Sequence, residues 1–228
     1  MNHEFQLTNA DTDSIMIHKD QCSPFSREER TELLNEINEL SPKGLVWEDD
    51  GYYTNVIILK AKNYILKNED GKITYKGSAL KSSKTEPALK EFLNKIIDSI
   101  LTEKFNYTEI YNEFVNEILN VKDIKRWASK KSLTSTTYES ERANETKIID
   151  AIKGTEYKEG DRIFTYFDKE GNLKLVENYN NDHDIGRLLK KLHSTSKVFD
   201  AVIPKDTFIN YSLKKNFKLL EESGSIKK

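Results

Sequence analysis

The chain has 228 residues, enough for one large domain or two small ones with a hydrophobic core. Charged residues make up 32% and hydrophobic residues 36%, and the net charge of −2 argues against a protein that is basic overall. No basic leader precedes an apolar run, and no stretch approaches the roughly 20 apolar residues of a membrane helix, so we expect a cytoplasmic protein with no membrane partner. The single cysteine, Cys22, excludes an internal disulfide framework and a cysteine-cluster zinc site.

The N-terminal part is predicted to be mostly sheet with one helix. Residues 4–18 have the alternating apolar pattern of a hairpin, with an Asp-Thr-Asp turn in the middle. Ser26 and Glu29 form a capping-box pattern that begins a helix, and this helix ends near Pro42. Runs rich in Val, Ile and Tyr then predict strands over 45–49, 52–60, 62–67 and 73–75.

The C-terminal part is predicted to be mainly helical. Pro87 suits the first turn of a helix that continues through Ile100. A hairpin is expected from the alternating runs 162–168 and 172–177. Apolar spacing predicts further helices over 107–120, 139–153 and 183–193, and His183 and His193 are interpreted as surface residues of the last. The fold class is therefore α+β, with expected domains of 1–84 and 85–228.

Positive charge is local rather than spread over the chain. Residues 60–84 contain seven lysines against two carboxylates, and residues 122–131 contain five basic residues against one acidic residue. Such local charge on a near-neutral chain is typical of a groove that faces phosphates.

The hairpin turn carries the first candidate site. Asp11 and Asp13 lie two residues apart, so that in extended geometry both side chains share one face. Carboxylate oxygens suit Mg²⁺, which takes one or two protein carboxylates together with substrate phosphates. A polar β-turn explains the same residues, and a metal-dependent sugar transferase also remains open. A calcium loop of the EF-hand type fits poorly, since Met16 stands at the glycine position and Cys22 at the final glutamate position.

The second candidate site lies in the lysine-rich segment. Lys60 and Lys62 alternate with apolar residues, so on one strand they would project from one face and reach phosphates or minor-groove acceptors. A solvated strand face with solubilising lysines is the alternative.

Together and in this order, the two motifs resemble the C-terminal part of a phage-like family-B DNA polymerase. Residues 9–14 match its Tyr-Gly-Asp-Thr-Asp-Ser palm hairpin, with Asn9 for Tyr and Ala10 for Gly. Residues 61–64 match its Lys-Lys-Arg-Tyr strand, although the first Lys and the Arg are replaced, and Lys76-Gly77 matches the segment before the thumb. The resemblance is strong over 5–90 and looser to about 220. It implies a partial palm, an antiparallel sheet with a catalytic hairpin, over 1–84 and a mainly helical thumb over 85–228.

The resemblance also implies the site residues. Asp13 would be the principal ligand and Asp11 the auxiliary ligand of a two-metal Mg²⁺ site that residues outside this chain complete. The implied contacts with primer–template DNA are Lys60, Lys62, Tyr64, Lys76, Gly77, Lys81 and Lys84. Ser82 and Ser83 stand where family members often carry arginine, which weakens the expected phosphate contacts there.

Two motifs of the resembled family do not occur in this sequence. These are the Asp-x-x-Ser-Leu-Tyr-Pro segment, with the other palm carboxylate, and the Lys-x-x-x-Asn-Ser-x-Tyr-Gly finger helix. Because one hairpin cannot hold two catalytic metal ions, the chain alone is not expected to polymerise dNTPs. The expected partner is an N-terminal polypeptide with exonuclease, fingers and the remaining palm, in a host cytoplasm if phage-encoded. The alternative function is a non-catalytic duplex DNA-binding protein.

Overall fold

The computed structural model describes residues 5–19, 23–77 and 85–222. Helices account for 43% and strands for 21% of the described residues, and every described strand pair is antiparallel, which confirms the α+β prediction. The chain divides into two compact units, unit 1 (1–81) and unit 2 (82–228). The assignment of 1–84 as palm and 85–228 as thumb stays a prediction. Among the described residues, no helix has the length and apolar character needed to cross a membrane.

Unit 1 begins with the predicted hairpin. Strands β1 (Phe5–Asp11) and β2 (Ser14–Lys19) pair with a two-residue loop between them. The register shifts by one residue at Thr8, whose hydroxyl lies 2.8 Å from Nδ1 of His18. This bulge leaves the rest of the ladder intact up to the Asp11–Ser14 pair at the tip.

Helix α1 (Arg27–Leu40) follows, and its capping box is confirmed. The Ser26 hydroxyl accepts a hydrogen bond from the Glu29 backbone amide, and the Glu29 carboxylate accepts one from the Ser26 amide. No strand forms over 45–49, so that prediction is wrong. The Trp47 backbone hydrogen-bonds to the Asn38 side chain of α1 instead of to a neighbouring strand. The Trp47 amide donates to Asn38 Oδ1 at 2.7 Å, and Asn38 Nδ2 donates to the Trp47 carbonyl at 2.9 Å.

A three-stranded meander completes unit 1. It consists of β3 (Asn55–Lys60), β4 (Asn63–Lys67) and β5 (Ile73–Lys76), in that order. The apolar side chains buried in it are Ile57, Leu59, Ile65 and Leu66.

Unit 2 is built on helices, and Pro87 is at the first turn of its first helix, as predicted. The helices are α2 (Pro87–Leu101), α3 (Tyr107–Leu119), α4 (Ser135–Glu139), α5 (Ala143–Ile152), α6 (Ile185–Ser196) and α7 (Lys214–Glu222). The predicted helix 139–153 is therefore two helices with a break at 140–142. The described sheet of unit 2 has the order β6 (Ser129–Ser132), β7 (Arg162–Phe167), β8 (Leu173–Leu175), and it contains the predicted hairpin.

Two apolar clusters stabilise unit 2. In the first, the Phe92 ring packs edge-on against Tyr111, Phe114 and Phe208 at 5.5–6.1 Å between centroids. In the second, α5 packs on the sheet through five buried side chains, which are Leu133, Ile148, Ile152, Ile163 and Leu175. Helices α2, α3, α5 and α6 thus each bury an apolar face, as the 3.6-residue pattern predicts.

Candidate metal and nucleic-acid site

The two candidate metal ligands lie at the tip of the first hairpin. Asp11 is the last residue of β1, whereas Asp13 is the second residue of the loop and is exposed. The expectation that both side chains share one strand face is therefore wrong, because the strand ends at Asp11 and the turn redirects the chain. The tip presents one half-buried and one exposed carboxylate.

The lysine motif is a turn rather than part of one strand. Lys60 ends β3, Ala61 and Lys62 form the connection, and Asn63 begins β4. The expectation of one shared strand face for Lys60 and Lys62 is wrong for this reason. Lys62 has a φ of 59°, in the left-handed region, and the Asn63 side chain donates to the Ala61 carbonyl at 3.0 Å, which closes the turn.

Gly77 fixes the neighbouring strand end against this turn. Its φ is 95°, and a Cβ at this position would lie 2.3 Å from the Lys62 carbonyl oxygen and 2.4 Å from Asn63 Oδ1. Only glycine allows an approach this close. Tyr64 and Lys76 are directly opposite each other on β4 and β5, so they lie at the same end of the sheet.

The structure therefore brings together five of the predicted DNA contacts. These are Lys60, Lys62, Tyr64, Lys76 and Gly77, at one end of the three-stranded sheet. All three lysine side chains are exposed, so an anionic ligand can approach them. The remaining two predicted contacts, Lys81 and Lys84, lie outside the described residues. The structure does not test a role in DNA binding for any of the seven.

The two motifs also meet each other within unit 1. Lys62 Nζ lies 3.4 Å from Asp11 Oδ1, and the Thr12 hydroxyl donates to the same oxygen at 3.2 Å. Fifty positions separate the pair along the chain, so no sequence pattern predicted this contact. It places a basic group of the lysine turn directly beside a candidate metal ligand.

The donor set at the hairpin tip fits magnesium in kind but not in number. Asp11 and Asp13 offer the hard oxygen donors that Mg²⁺ prefers. Among the residues described, no group of three or more His, Cys, Asp or Glu side chains is placed to hold a metal ion. A two-metal centre here would need carboxylates from beyond these residues.

Unit 2 pairs one residue of its basic block internally, which the sequence did not reveal. Arg126, inside the basic block 122–131, pairs with Glu117 and Glu91 at 2.8 and 3.0 Å. The hydrogen bonds that Arg126 donates to Glu117 are the largest cause that raises the pKa of Arg126. The Trp127 indole also donates to Glu117, at 2.9 Å, and Trp127 is buried.

His183 is not a surface helix residue, so that expectation is wrong. It precedes α6 and is buried, with Nε2 at 2.9 Å from the Ile118 carbonyl and Nδ1 at 2.9 Å from the Tyr179 hydroxyl. Because both ring nitrogens are used, its role is structural. His183 borders a surface cavity of about 440 Å³, which is lined by Leu119, Asn120, Val121, Lys169, Tyr179, Asn181, His183, Asp184 and Ile185.

The fold of the chain is similar to that of a family B DNA polymerase. The solved structure is that of the family B DNA polymerase from the hyperthermophilic archaeon Pyrobaculum calidifontis, with a TM-score of 0.66 and 17% sequence identity. The match covers 87% of this chain and 27% of the archaeal chain, so the present chain spans about a quarter of that polymerase. At this identity the likeness concerns the fold alone. Comparison with protein-family models and with curated protein sequences gave no match.

Proposed function

We propose that this chain supplies the metal-binding hairpin, the duplex-gripping turn and the thumb of a DNA polymerase. The reaction would be template-directed nucleotidyl transfer from dNTPs to a primer 3′ hydroxyl. The observation that carries the proposal is the meeting of the two motifs, with Lys62 Nζ 3.4 Å from Asp11 Oδ1, within a family-B-like fold.

Each side chain has a distinct role in this proposal. Asp13 and Asp11 would hold magnesium, which in such sites activates the attacking hydroxyl and stabilises the leaving phosphate oxygens. Lys60, Lys62 and Lys76 would neutralise or hydrogen-bond the product duplex at the exposed sheet end, and Tyr64 would lie between them. Such contacts follow duplex shape rather than base sequence, as an enzyme that copies any template requires.

Catalysis would need further residues. The two hairpin carboxylates do not complete a two-metal centre, so the proposed partner is a polypeptide segment with the remaining palm carboxylate and the finger helix. The proposal is the same whether this segment belongs to a separate chain or to a longer form of this one.

The test is primer extension with this chain and a polypeptide that carries the missing segments. We expect Asp13→Ala to lower extension by more than about 100-fold, since even residues that only support a metal ligand contribute about 10–100-fold. Duplex binding, measured by fluorescence anisotropy, should stay nearly unchanged. Asp50→Ala is the matched control, because Asp50 is also an exposed loop carboxylate. Loss of both extension and binding, or of neither, would contradict the role assigned to Asp13.

A second candidate is a duplex-binding protein without catalytic activity. The observation in its favour is the small carboxylate set, since two hairpin carboxylates are fewer than a complete metal site uses. It predicts salt-dependent duplex binding that is indifferent to Mg²⁺ and to Asp13→Ala, and no extension with the partner polypeptide.

A further inference from the structure

The candidate metal ligand Asp11 already has a cationic neighbour. Its Oδ1 atom lies 3.4 Å from Lys62 Nζ and accepts a hydrogen bond from the Thr12 hydroxyl at 3.2 Å. The Asp11 side chain is 30% exposed and the Lys62 side chain is 72% exposed. An ammonium group thus lies beside an oxygen that a divalent cation would otherwise approach.

The backbone that carries this ammonium group is held by neighbouring groups, whereas most of the Lys62 side chain lies in solvent. Lys62 has a left-handed backbone, held by the Asn63 side chain on the Ala61 carbonyl and by Gly77 against the Lys62 carbonyl. Beyond the backbone, the side chain is mostly in solvent. Ion pairs with such an exposed partner contribute little free energy, so Lys62 can exchange Asp11 for another anionic partner at a small cost in free energy.

We propose that Lys62 is a displaceable counter-ion of Asp11 that couples duplex binding to divalent-cation binding. In the free protein, the ammonium group neutralises Asp11 and repels an approaching divalent cation. When a duplex offers phosphate or minor-groove acceptors, Lys62 moves to the nucleic acid, and Asp11 becomes available to the cation. Lys62 is a positioning residue in this scheme, which rests on the function proposed above.

The coupling has a definite sign. Two like charges near one carboxylate compete, so the cation and the paired form of Lys62 exclude each other. By linkage, a duplex that removes Lys62 raises divalent-cation affinity, and the cation raises duplex affinity by the same factor. Without such coupling, divalent cations weaken duplex binding because they compete for phosphates. An increase in duplex affinity on addition of the divalent cation therefore distinguishes the proposal from simple competition for phosphates.

The first experiment uses the free chain and Mn²⁺ alone, with bound Mn²⁺ measured by electron paramagnetic resonance. Lys62→Met keeps most of the aliphatic stem and removes the charge, and we expect it to tighten Mn²⁺ binding about fivefold or more. Lys62→Arg keeps the charge and should bind Mn²⁺ with the wild-type affinity. Adding Asp11→Asn to Lys62→Met should abolish the gain in Mn²⁺ affinity. Equal Mn²⁺ affinity in wild type and Lys62→Met, or no Mn²⁺ binding by either, would overturn the proposal.

The second experiment measures the ratio of duplex affinity with Mg²⁺ to that without, at constant ionic strength. We expect this ratio to fall about fivefold in Lys62→Met. Lys60→Met is the matched control: Lys60 is exposed at the same turn and has no ion pair with any residue in the described ranges. It should weaken duplex binding and leave the ratio unchanged.

The two experiments separate this inference from the proposed function. If the wild-type chain binds no duplex under any ionic condition, the proposed function fails, and the Mn²⁺ titration still decides whether Lys62 is the counter-ion. If duplex binding and extension hold but Lys62→Met changes neither the Mn²⁺ affinity nor the ratio, only the counter-ion proposal fails.

Discussion

The two units of this chain differ sharply in how much apolar surface they bury. Among the described residues, four hydrophobic side chains are buried in unit 1 and twenty-eight in unit 2. Helix α1 of unit 1 has no buried residue at all, whereas α2 alone buries seven. Unit 2 therefore has an ordinary hydrophobic core, and unit 1 depends more on local backbone interactions.

The two units therefore differ in what their side chains contribute: unit 1 contains the candidate site, and unit 2 contains most of the buried apolar core. In unit 1 most of the candidate site residues are charged, and they lie at turns and beside a close glycine contact. Several large apolar side chains of unit 1 are also left exposed, among them Leu40 at 87% and Val46 at 75%. In unit 2 most charges with described contacts are paired with one another and most large apolar groups are covered. We therefore expect substitutions in unit 2 to act through packing and substitutions in unit 1 through backbone geometry.

The largest effect is expected from truncation in the core of unit 2. Phe92 is fully buried and contacts three aromatic rings, so Phe92→Ala should lower the free energy of unfolding by about 3–5 kcal/mol. Urea denaturation followed by Trp127 fluorescence, in a Trp47→Phe background, reports this change, because Trp127 is buried beside Phe114.

The control for this prediction is an exposed phenylalanine of the same unit. Phe105 is 61% exposed, so Phe105→Ala should change the free energy of unfolding by no more than about 0.5 kcal/mol. Equal losses for Phe92→Ala and Phe105→Ala would show that the aromatic cluster is not the main source of stability in unit 2.

The next effect is expected from a backbone substitution in unit 1. Gly77→Ala adds a Cβ that lies 2.3 Å from a backbone oxygen at a φ of 95°, and backbone atoms cannot move aside as a flexible side chain can. We expect a loss of about 2–4 kcal/mol, from steric overlap and left-handed strain together. Urea denaturation followed by Trp47 fluorescence, in a Trp127→Phe background, measures this loss of stability in unit 1.

Gly71 is the matched control, since its φ is also positive, at 78°, but a Cβ there meets nothing within 4 Å. Gly71→Ala should therefore cost only about 1 kcal/mol, from strain alone. If both glycines give the same loss, the close approach of Gly77 to the Lys62 turn does not stabilise unit 1.

The elements that the sequence predicted well are those with strong local signals. The first hairpin, the capping box of Ser26 and Glu29, and the helix that begins at Pro87 all depend on residues within a few positions of each other. The fold class followed from these elements. The pairing of Tyr64 with Lys76 could not be predicted from the same elements, because strand register depends on the turn between the strands.

The sequence failed where a distant side chain or a turn replaced regular structure. Residues 45–49 have the composition of a strand, but the Asn38 side chain satisfies the Trp47 backbone instead. Lys62 follows Lys60 with strand-like spacing, but a two-residue turn separates them. The ion pair of Lys62 with Asp11, central to the candidate site, carries no local signal.

The smallest predicted effect concerns a charge cluster at the β6–β8 sheet of unit 2. Asp182 lies 2.6 Å from Lys174 Nζ and accepts a hydrogen bond from the Tyr166 hydroxyl at 2.7 Å. The bond from Lys174, followed by that from Tyr166, lowers the pKa of Asp182 to about 2. Since the unfolded pKa is about 3.9, this stabilisation is complete above about pH 4 and is lost as the pH falls towards 2.

Asp182→Asn keeps the acceptor for Tyr166 but removes the titrating group, so this variant should lose less stability than wild type between pH 4 and pH 2. We expect a difference of about 1 kcal/mol or less, because Lys174 is partly exposed and solvent screens the pair. Urea titrations at pH 6 and pH 3, followed by Trp127 fluorescence, measure it. Asp206→Asn is the control, since Asp206 is exposed and has no ion pair within the described part of the chain. A pH dependence equal to that of wild type in Asp182→Asn would mean that the Asp182 carboxylate does not stabilise unit 2.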